Sequence, residues 1–315
     1  MSKKFKVFVD GQSGTTGLKI NERLTKRDDI ELLEISEEKR KEPEEKNKFL
    51  NSADIVILCL PDEAARESVS LITNPSTKVI DASTVHRVDP EWVYGLPEYE
   101  KTQRERIQNS KRVCVPGCHA TGFILSLYPL VKNGIVPTDY PVTVHSITGY
   151  SGGGKKLIER FESNQDRESW HSSRHYALNL KHKHLPEMQK YTGLYYPPLF
   201  TPVVGNFFKG MAVGIPLHKR LLKKKVDSND IYEILSSHYE NEFFVRVVEE
   251  KNSFEIDYFD PTACNDTNLA EIFIFGNEEQ FLLLTRLDNL GKGASGAAIQ
   301  NLNIMLGIDE KKGLI

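Results

Sequence analysis

The chain carries four cysteines, Cys59, Cys114, Cys118 and Cys264, and no two are spaced as Cys-x-x-Cys. Most free cysteines pack as small hydrophobes, so a reactive thiol needs a local reason. Cys118 has one. In Val113-Cys-Val-Pro-Gly-Cys118-His-Ala-Thr-Gly, Pro116 and Gly117 break a preceding strand, and Phe123, Ile124, Leu127 and Leu130 then recur at helical spacing. That pattern puts Cys118 in the first turn of a predicted helix. Unpaired amides and the helix dipole at such a position stabilise a thiolate and lower its pKa. Thioester chemistry requires a nucleophile of this kind. Cys114 lies on the preceding strand and Cys59 inside Ile-Val-Ile-Leu-Cys-Leu, so both read as core filler, while Cys264 in Pro-Thr-Ala-Cys-Asn-Asp stays open. His119 follows Cys118 directly, but on a helix it points elsewhere, so it is set aside.

Gly11-Gln-Ser-Gly-Thr-Thr-Gly17 follows an apolar strand and opens a helix. Amides at the start of that helix can face a pyrophosphate, which makes Gly11, Ser13, Gly14, Thr15, Thr16 and Gly17 candidates for binding a dinucleotide. The spacing is GxxGxxG rather than GxGxxG, a looser signal, and a tight turn would also account for it. The end of the second strand bears on which nicotinamide cofactor is used, because an NAD site usually places an acid there. Here the chain runs Leu32-Leu33-Glu34-Ile35-Ser36, then Glu37-Glu38-Lys39-Arg40-Lys41. Ser36 does not repel a 2′-phosphate, and Lys39 or Arg40 can neutralise one, so NADP(H) is expected. Glu34 keeps NAD open if the register is shifted.

His182 and His184 share one side of the chain if their segment is extended. By themselves, two histidines in a loop ahead of Pro186 read as surface residues. Gly152-Gly-Gly-Lys-Lys156 offers amides at Gly152 and Gly153 and a cation at Lys155 to a phosphate, or is simply a flexible hairpin or helix start. Order along the chain adds more. Pro116-Gly-Cys-x-x-Thr121, the Gly11 loop before it and Asp288-Asn-Leu-Gly-Lys-Gly-Ala-Ser-Gly-Ala after it resemble the semialdehyde dehydrogenase superfamily. Tyr150-Ser-Gly-Gly-Gly-Lys155, His182-Lys-His-Leu-Pro-Glu187 and Val204-Gly-Asn-Phe-Phe-Lys-Gly-Met211 are similar to the short (type 2) form of N-acetyl-gamma-glutamyl-phosphate reductase. The matching motifs run from the first strand to the terminal helix.

The resemblance implies NADPH-dependent reduction of the acyl phosphate through a Cys118 thioester, release of phosphate, and a step of arginine biosynthesis. It implies that His182 or His184 is the general acid/base, without saying which. It places Asn289 and Lys292 at the nicotinamide and implies a homo-oligomer, a dimer or a tetramer. Arg174, Lys209 and Glu187 are candidates for substrate binding, and no metal site is expected. Aspartate-semialdehyde dehydrogenase shares the cysteine, cofactor and reaction type, but His-Lys-His-Leu-Pro-Glu argues against it. The same residues would also suit a reductase of a carrier-linked acyl phosphate, or an NADP-sensing protein without turnover.

The elements that must hold these residues alternate over the first hundred positions. Strands are predicted over 5–9, 30–35, 53–60 and 78–81, with helices over 18–27 and 63–72 between them, which gives a doubly wound, parallel Rossmann-type sheet. From about residue 141 the pattern changes to strands over 142–148, 243–248, 271–275 and 280–286, an α+β region with a mostly antiparallel sheet. A helix is predicted over 293–306. The expected domains are 1–118 with 287–315 for NADP and 119–286 for substrate and oligomerisation. Composition is that of a folded soluble protein, with 39% hydrophobic and 27% charged residues among 315. A net charge of −3 provides no basic field for nucleic acid, and the run Lys219, Arg220, Lys223, Lys224, Lys225 reads as a solvated face. No stretch approaches the ~18 apolar residues of a membrane span. The amino terminus lacks the apolar core of a signal peptide, so a cytoplasmic location is expected.

Overall fold

The first strand, β1 (Phe5–Asp10), has the buried run Val7, Phe8 and Val9, the signature of a strand covered on both faces. It belongs to a computed structural model that describes residues 4–36, 38–39, 42–163, 170–249 and 258–315. After β1 come α1 (Thr15–Leu24), β2 (Ile30–Leu33), α2 (Pro43–Ser52), β3 (Ile55–Leu58), α3 (Asp62–Ser70), β4 (Lys78–Asp81), β5 (Val93–Tyr94), α4 (Gln103–Asn109) and β6 (Arg112–Cys114). The sheet order is β2-β1-β3-β4-β6-β5 and every pairing is parallel. The chain leaves β1 toward β2 on one side and returns to β3 on the other. The carboxyl ends of β1 and β3 therefore flank a topological switch point, where open α/β sheets bind ligands.

A second set of elements begins with α5 (Cys118–Lys132), every residue of which from His119 to Leu130 is buried. It continues through β7 (Thr143–Gly149), α6 (Lys155–Glu162), β8 (Arg174–His175), α7 (Leu185–Thr192), β9 (Leu199–Gly205), β10 (Met211–His218), α8 (Ser228–His238), β11 (Val245–Val248), β12 (Ala270–Gly276) and β13 (Gln280–Leu287). The sheet order is β11-β12-β13-β10-β7-β9-β8. Its pairings are antiparallel except β11 with β12 and β7 with β9. The hairpin between β12 and β13 turns at Asn277, whose N–H donates to the Gln280 carbonyl at 3.0 Å. The terminal helix α9 (Gly296–Leu306) is regular only from Gly296, because a single π-helical turn occupies Gly291–Ser295.

The two compact units are Met1–Pro116 with Ala294–Ile315, and Gly117–Gly293. The chain thus passes from one unit to the other just before Cys118 and returns just after Gly293. Within the first unit Asn301 of α9 donates to the Gly95 carbonyl at 2.9 Å, and a Cβ on Gly95 would lie 2.6 Å from that amide. Several boundaries differ from expectation. Helix α1 starts at Thr15 rather than at position 18, because two β-branched residues after a glycine suit a first turn as well as a loop. Strand β2 ends at Leu33, two residues before the end anticipated at 35.

Candidate active site

The three glycines of the nucleotide loop have different structural grounds. Gly11 has φ +92°, and a Cβ there would lie 2.3 Å from the Cys59 carbonyl oxygen at the end of β3. A Cβ on Gly17 would lie 2.3 Å from the Gly11 oxygen. A side chain at either position would force the loop to shift, so packing favours glycine at both. Gly14 is unlike them: its φ is −78°, and a Cβ would meet only ordinary contacts at 3.6 and 4.0 Å. Its bareness leaves space in front of α1, whose N-terminus has no side-chain cap. Uncapped amides behind an open approach form a cradle that fits a dinucleotide phosphate. Thr15 and Thr16 are half-buried in the first turn and Ser13 is exposed. Ser36 is exposed beyond β2, and Lys39 Nζ lies 3.9 Å from Glu45, an exposed pairing too weak to commit the lysine. Arg40 lies outside the described residues.

Cys118 is the first residue of α5, with Gly117 in the N-cap position at φ −74° and ψ 145°. The Gly117 N–H donates to Glu187 Oε2 at 3.1 Å, and Glu187, 1% exposed on α7, thereby ties that helix to the turn bearing the nucleophile. Gly293 lies against Cys118 as well, since a Cβ on it would fall 2.7 Å from the cysteine Cβ. Cys118 and Cys59 are both half-buried and Cys264 is buried; desolvation pushes the Cys59 and Cys264 thiols up to about 12, with the Asp81 and Asp10 carboxylates adding to it at Cys59. Cys114 is buried on β6, as core filler should be.

His119 corrects the sequence-based expectation, for it belongs to the same cluster. Its Nδ1 lies 2.8 Å from Ser146 Oγ and its Nε2 2.8 Å from Tyr176 Oη. Its ring centroid is 5.5 Å from those of His182 and His184 and 5.1 Å from that of Phe200. Burial pushes the imidazole down to about 3, helped by neighbouring His182 and Lys183, so His119 is neutral near pH 7. The segment carrying the other two histidines is not extended. It turns, with the Leu185 N–H donating to the His182 carbonyl at 3.1 Å, and His184 is the N-cap of α7 with helical φ and ψ. The turn nonetheless brings the rings of His182 and His184 edge-on at 4.7 Å. His182 Nδ1 accepts from the His184 backbone N–H at 3.1 Å, which leaves the ring proton on Nε2. Burial, and then the charge of Cys118, raise the Tyr176 phenol above its ordinary range, so it also stays neutral.

The remaining candidates are placed variously. Asn289 donates to Ser151 Oγ at 3.0 Å and accepts from the Gly210 N–H at 2.8 Å, pinning the 3-10 turn Tyr150–Gly153 to the start of β10. Gly152 and Gly153 are exposed in that turn, and Lys155 is exposed with Glu159 at 4.0 Å. Lys209 pairs with Asp266. Arg174 stacks its guanidinium 4.4 Å from the Trp170 ring centroid. Lys292 is 1% exposed, its ammonium 5.7 Å from the centroid of Phe244. Sequence reasoning did not find His119, Ser146 or Tyr176. The sequence carried no signal for the first: α5 is buried on every side from His119 to Leu130, so helical spacing does not single out the side that His119 faces.

Two family models match the chain: the semialdehyde dehydrogenase NAD binding domain over residues 11–109 and the semialdehyde dehydrogenase dimerisation domain over 118–289. An N-acetyl-gamma-glutamyl-phosphate reductase 2 of Nostoc sp. is 47% identical over 320 residues, covering 99% of both proteins. An N-acetyl-gamma-glutamyl-phosphate reductase of Chelativorans sp. is 48% identical, covering 96% of this chain and 98% of its own. Among solved structures, aspartate semialdehyde dehydrogenase II of Vibrio cholerae superposes with a TM-score of 0.73 at 16% identity, covering 97% of this chain and 99% of that one. The last likeness speaks to fold alone; the near-full-length identities speak to kinship. The chain belongs to the N-acetyl-gamma-glutamyl-phosphate reductase family of semialdehyde dehydrogenases.

Proposed function

We propose that this enzyme reduces N-acetyl-gamma-glutamyl phosphate to N-acetylglutamate 5-semialdehyde and phosphate, with NADPH, as a step of arginine biosynthesis. The observation that carries the proposal is a cysteine at the first position of α5, tied through Gly117 to the helix whose N-cap is His184. The Cys118 thiolate attacks the acyl carbonyl and phosphate departs, leaving a thioester on the cysteine. A dinucleotide held at the Gly11–Gly17 loop would supply the hydride that takes the thioester to the aldehyde level. Removal of the thiohemiacetal hydroxyl proton breaks the bond between the substrate carbon and the Cys118 sulfur, which frees the aldehyde and regenerates the thiolate.

The histidines divide the proton work. Protonating His182 on Nδ1 would cost the bond from the His184 N–H, so that bond favours the neutral ring with its proton on Nε2. It is a fixed donor toward developing negative charge on the acyl oxygen. His184 is then the group that exchanges protons with that oxygen and with the sulfur.

The first unit holds the dinucleotide at Gly11–Gly17, and the second holds the substrate. Ser36 with Lys39 and Arg40 favours NADP over NAD. A phosphate-handling role at Gly152, Gly153 and Lys155 fits their exposure. The enzyme self-associates through the open face of the second sheet, where Leu199 and Leu282 are 50% and 37% exposed beside Thr143, His145, Pro216 and Leu284. A reduced catalytic thiol suits the cytoplasm.

The experiment is an assay of NADP reduction with N-acetylglutamate 5-semialdehyde and phosphate, with aspartate semialdehyde and NAD as controls. Turnover should need the acetylated substrate, phosphate and NADP. It should vanish in Cys118→Ser and fall by about 10²- to 10⁴-fold in His184→Asn, with a smaller loss in His182→Asn. Equal rates with aspartate semialdehyde would overturn the substrate assignment, and an active Cys118→Ser variant the mechanism.

A further inference from the structure

Three hydrogen-bonding contacts run in series through the second unit. Ser146 Oγ lies 3.1 Å from the Ala212 carbonyl, 2.8 Å from His119 Nδ1, and the opposite edge of that ring lies 2.8 Å from Tyr176 Oη. Three protons are available to fill them: one on the serine, one on the neutral imidazole, one on the phenol. A carbonyl has no proton, so only the serine can fill the first contact. His119 must then carry its proton on Nδ1 and donate to Ser146. Its Nε2 is left as a bare acceptor, and only the phenol can fill the third contact. The reverse polarity would press the serine and carbonyl oxygens together without a proton, in a place where Ser146 is fully buried. A protonated His119 would also break the series, but burial excludes it near neutral pH; the groups around the ring are Ser146, Tyr176, His182, Lys183, His184 and Phe200.

The consequence falls on Tyr176. Its only proton is committed inward, so the lone pairs of its oxygen are what it can offer elsewhere. It lies close enough to Cys118 to respond to the charge of the thiolate, and its ring is 5.8 Å from that of His182. A tyrosine in that state cannot donate to a carboxylate or carbonyl; it can only accept. We propose that Tyr176 is a specificity residue, whose hydroxyl oxygen accepts a hydrogen bond from the acylamino N–H of the substrate, with Ser146 and His119 fixing it as an acceptor. The inference rests on the N-acylated substrate proposed above, whose only N–H is the amide, a few bonds from the carbon that Cys118 attacks.

The test compares N-acetylglutamate 5-semialdehyde with its ester isostere, in which oxygen replaces the amide N–H, in the NADP- and phosphate-dependent assay. The unaltered enzyme should favour the amide by about 5- to 100-fold in kcat/KM, since the ester sets two acceptors against each other. Tyr176→Phe should bring the ratio close to one, chiefly by raising KM for the amide. Ser146→Ala keeps the tyrosine but frees the His119 proton to move to Nε2, which releases the phenol proton outward; the ratio should shrink there too. Bound NADP and cooperative unfolding in each variant report that it is folded. A ratio unmoved by Tyr176→Phe and by Ser146→Ala, with normal amide turnover in the parent, would sink this inference alone. No amide turnover in the parent would sink the substrate assignment and this inference with it.

Discussion

His119 sits where water does not reach it, and the cost of charging it there has a thermodynamic echo. In the unfolded chain its imidazole takes up a proton below about pH 6.5, the ordinary histidine value. In the folded protein it does so only near 3. Between those limits the unfolded state binds the extra proton, so stability must fall as pH falls, by at most about 1.4 kcal/mol per pH unit for one site. Urea unfolding of His119→Gln should therefore give a flatter stability curve between pH 6 and 4 than the parent, even if it starts lower at pH 7. Parallel curves would show that another group carries the acid sensitivity. At this scale Cys118 was legible in the sequence, because Pro116-Gly117 and the helical repeat of Phe123, Ile124, Leu127 and Leu130 fix its place in the first turn. His119 was not. Helix α5 is buried all round, so each direction from it meets protein, and the spacing of residues cannot say which direction holds the other histidines.

Elements explain why similar residues have unequal value. Gly17 is required by packing, because its missing Cβ would collide with the Gly11 carbonyl, whereas Gly14 has room for one. Gly17→Ala should lower stability by about 1–3 kcal/mol, the usual cost of overpacking. Gly14→Ala should unfold within a few degrees of the parent yet bind NADPH more weakly, because the added methyl occupies the approach to the α1 amides. Thermal unfolding and fluorescence titration separate the two, and a Gly14→Ala variant with parent-like NADPH affinity would remove the phosphate from that approach. The Rossmann-type order was readable from apolar strands alternating with amphipathic stretches. The segment before α7 was not, because an extended run and a tight turn both bring residues two apart to one side. The carbonyl of His182 and the N-cap position of His184 decide for the turn.

Over the whole molecule, the second sheet leaves one face bearing Leu199 and Leu282 open, on the region matched by a model named for dimerisation. Leu282→Lys should convert an assembly larger than 35.8 kDa into a species of that mass in light scattering after size exclusion. A parent already at 35.8 kDa would exclude self-association through this face. Neither the antiparallel pattern nor the alternation of β13 reveals such a face by itself, since an exposed leucine on a strand is common. Finally, the unequal fates of the cysteines give the enzyme a built-in reporter. Cys59 and Cys264 hold their protons to about pH 12, and Cys114 is shut inside the first sheet. A maleimide dye added near neutrality should therefore settle on Cys118, so that one fluorophore per chain counts competent sites, and protection by substrate reads occupancy without any turnover.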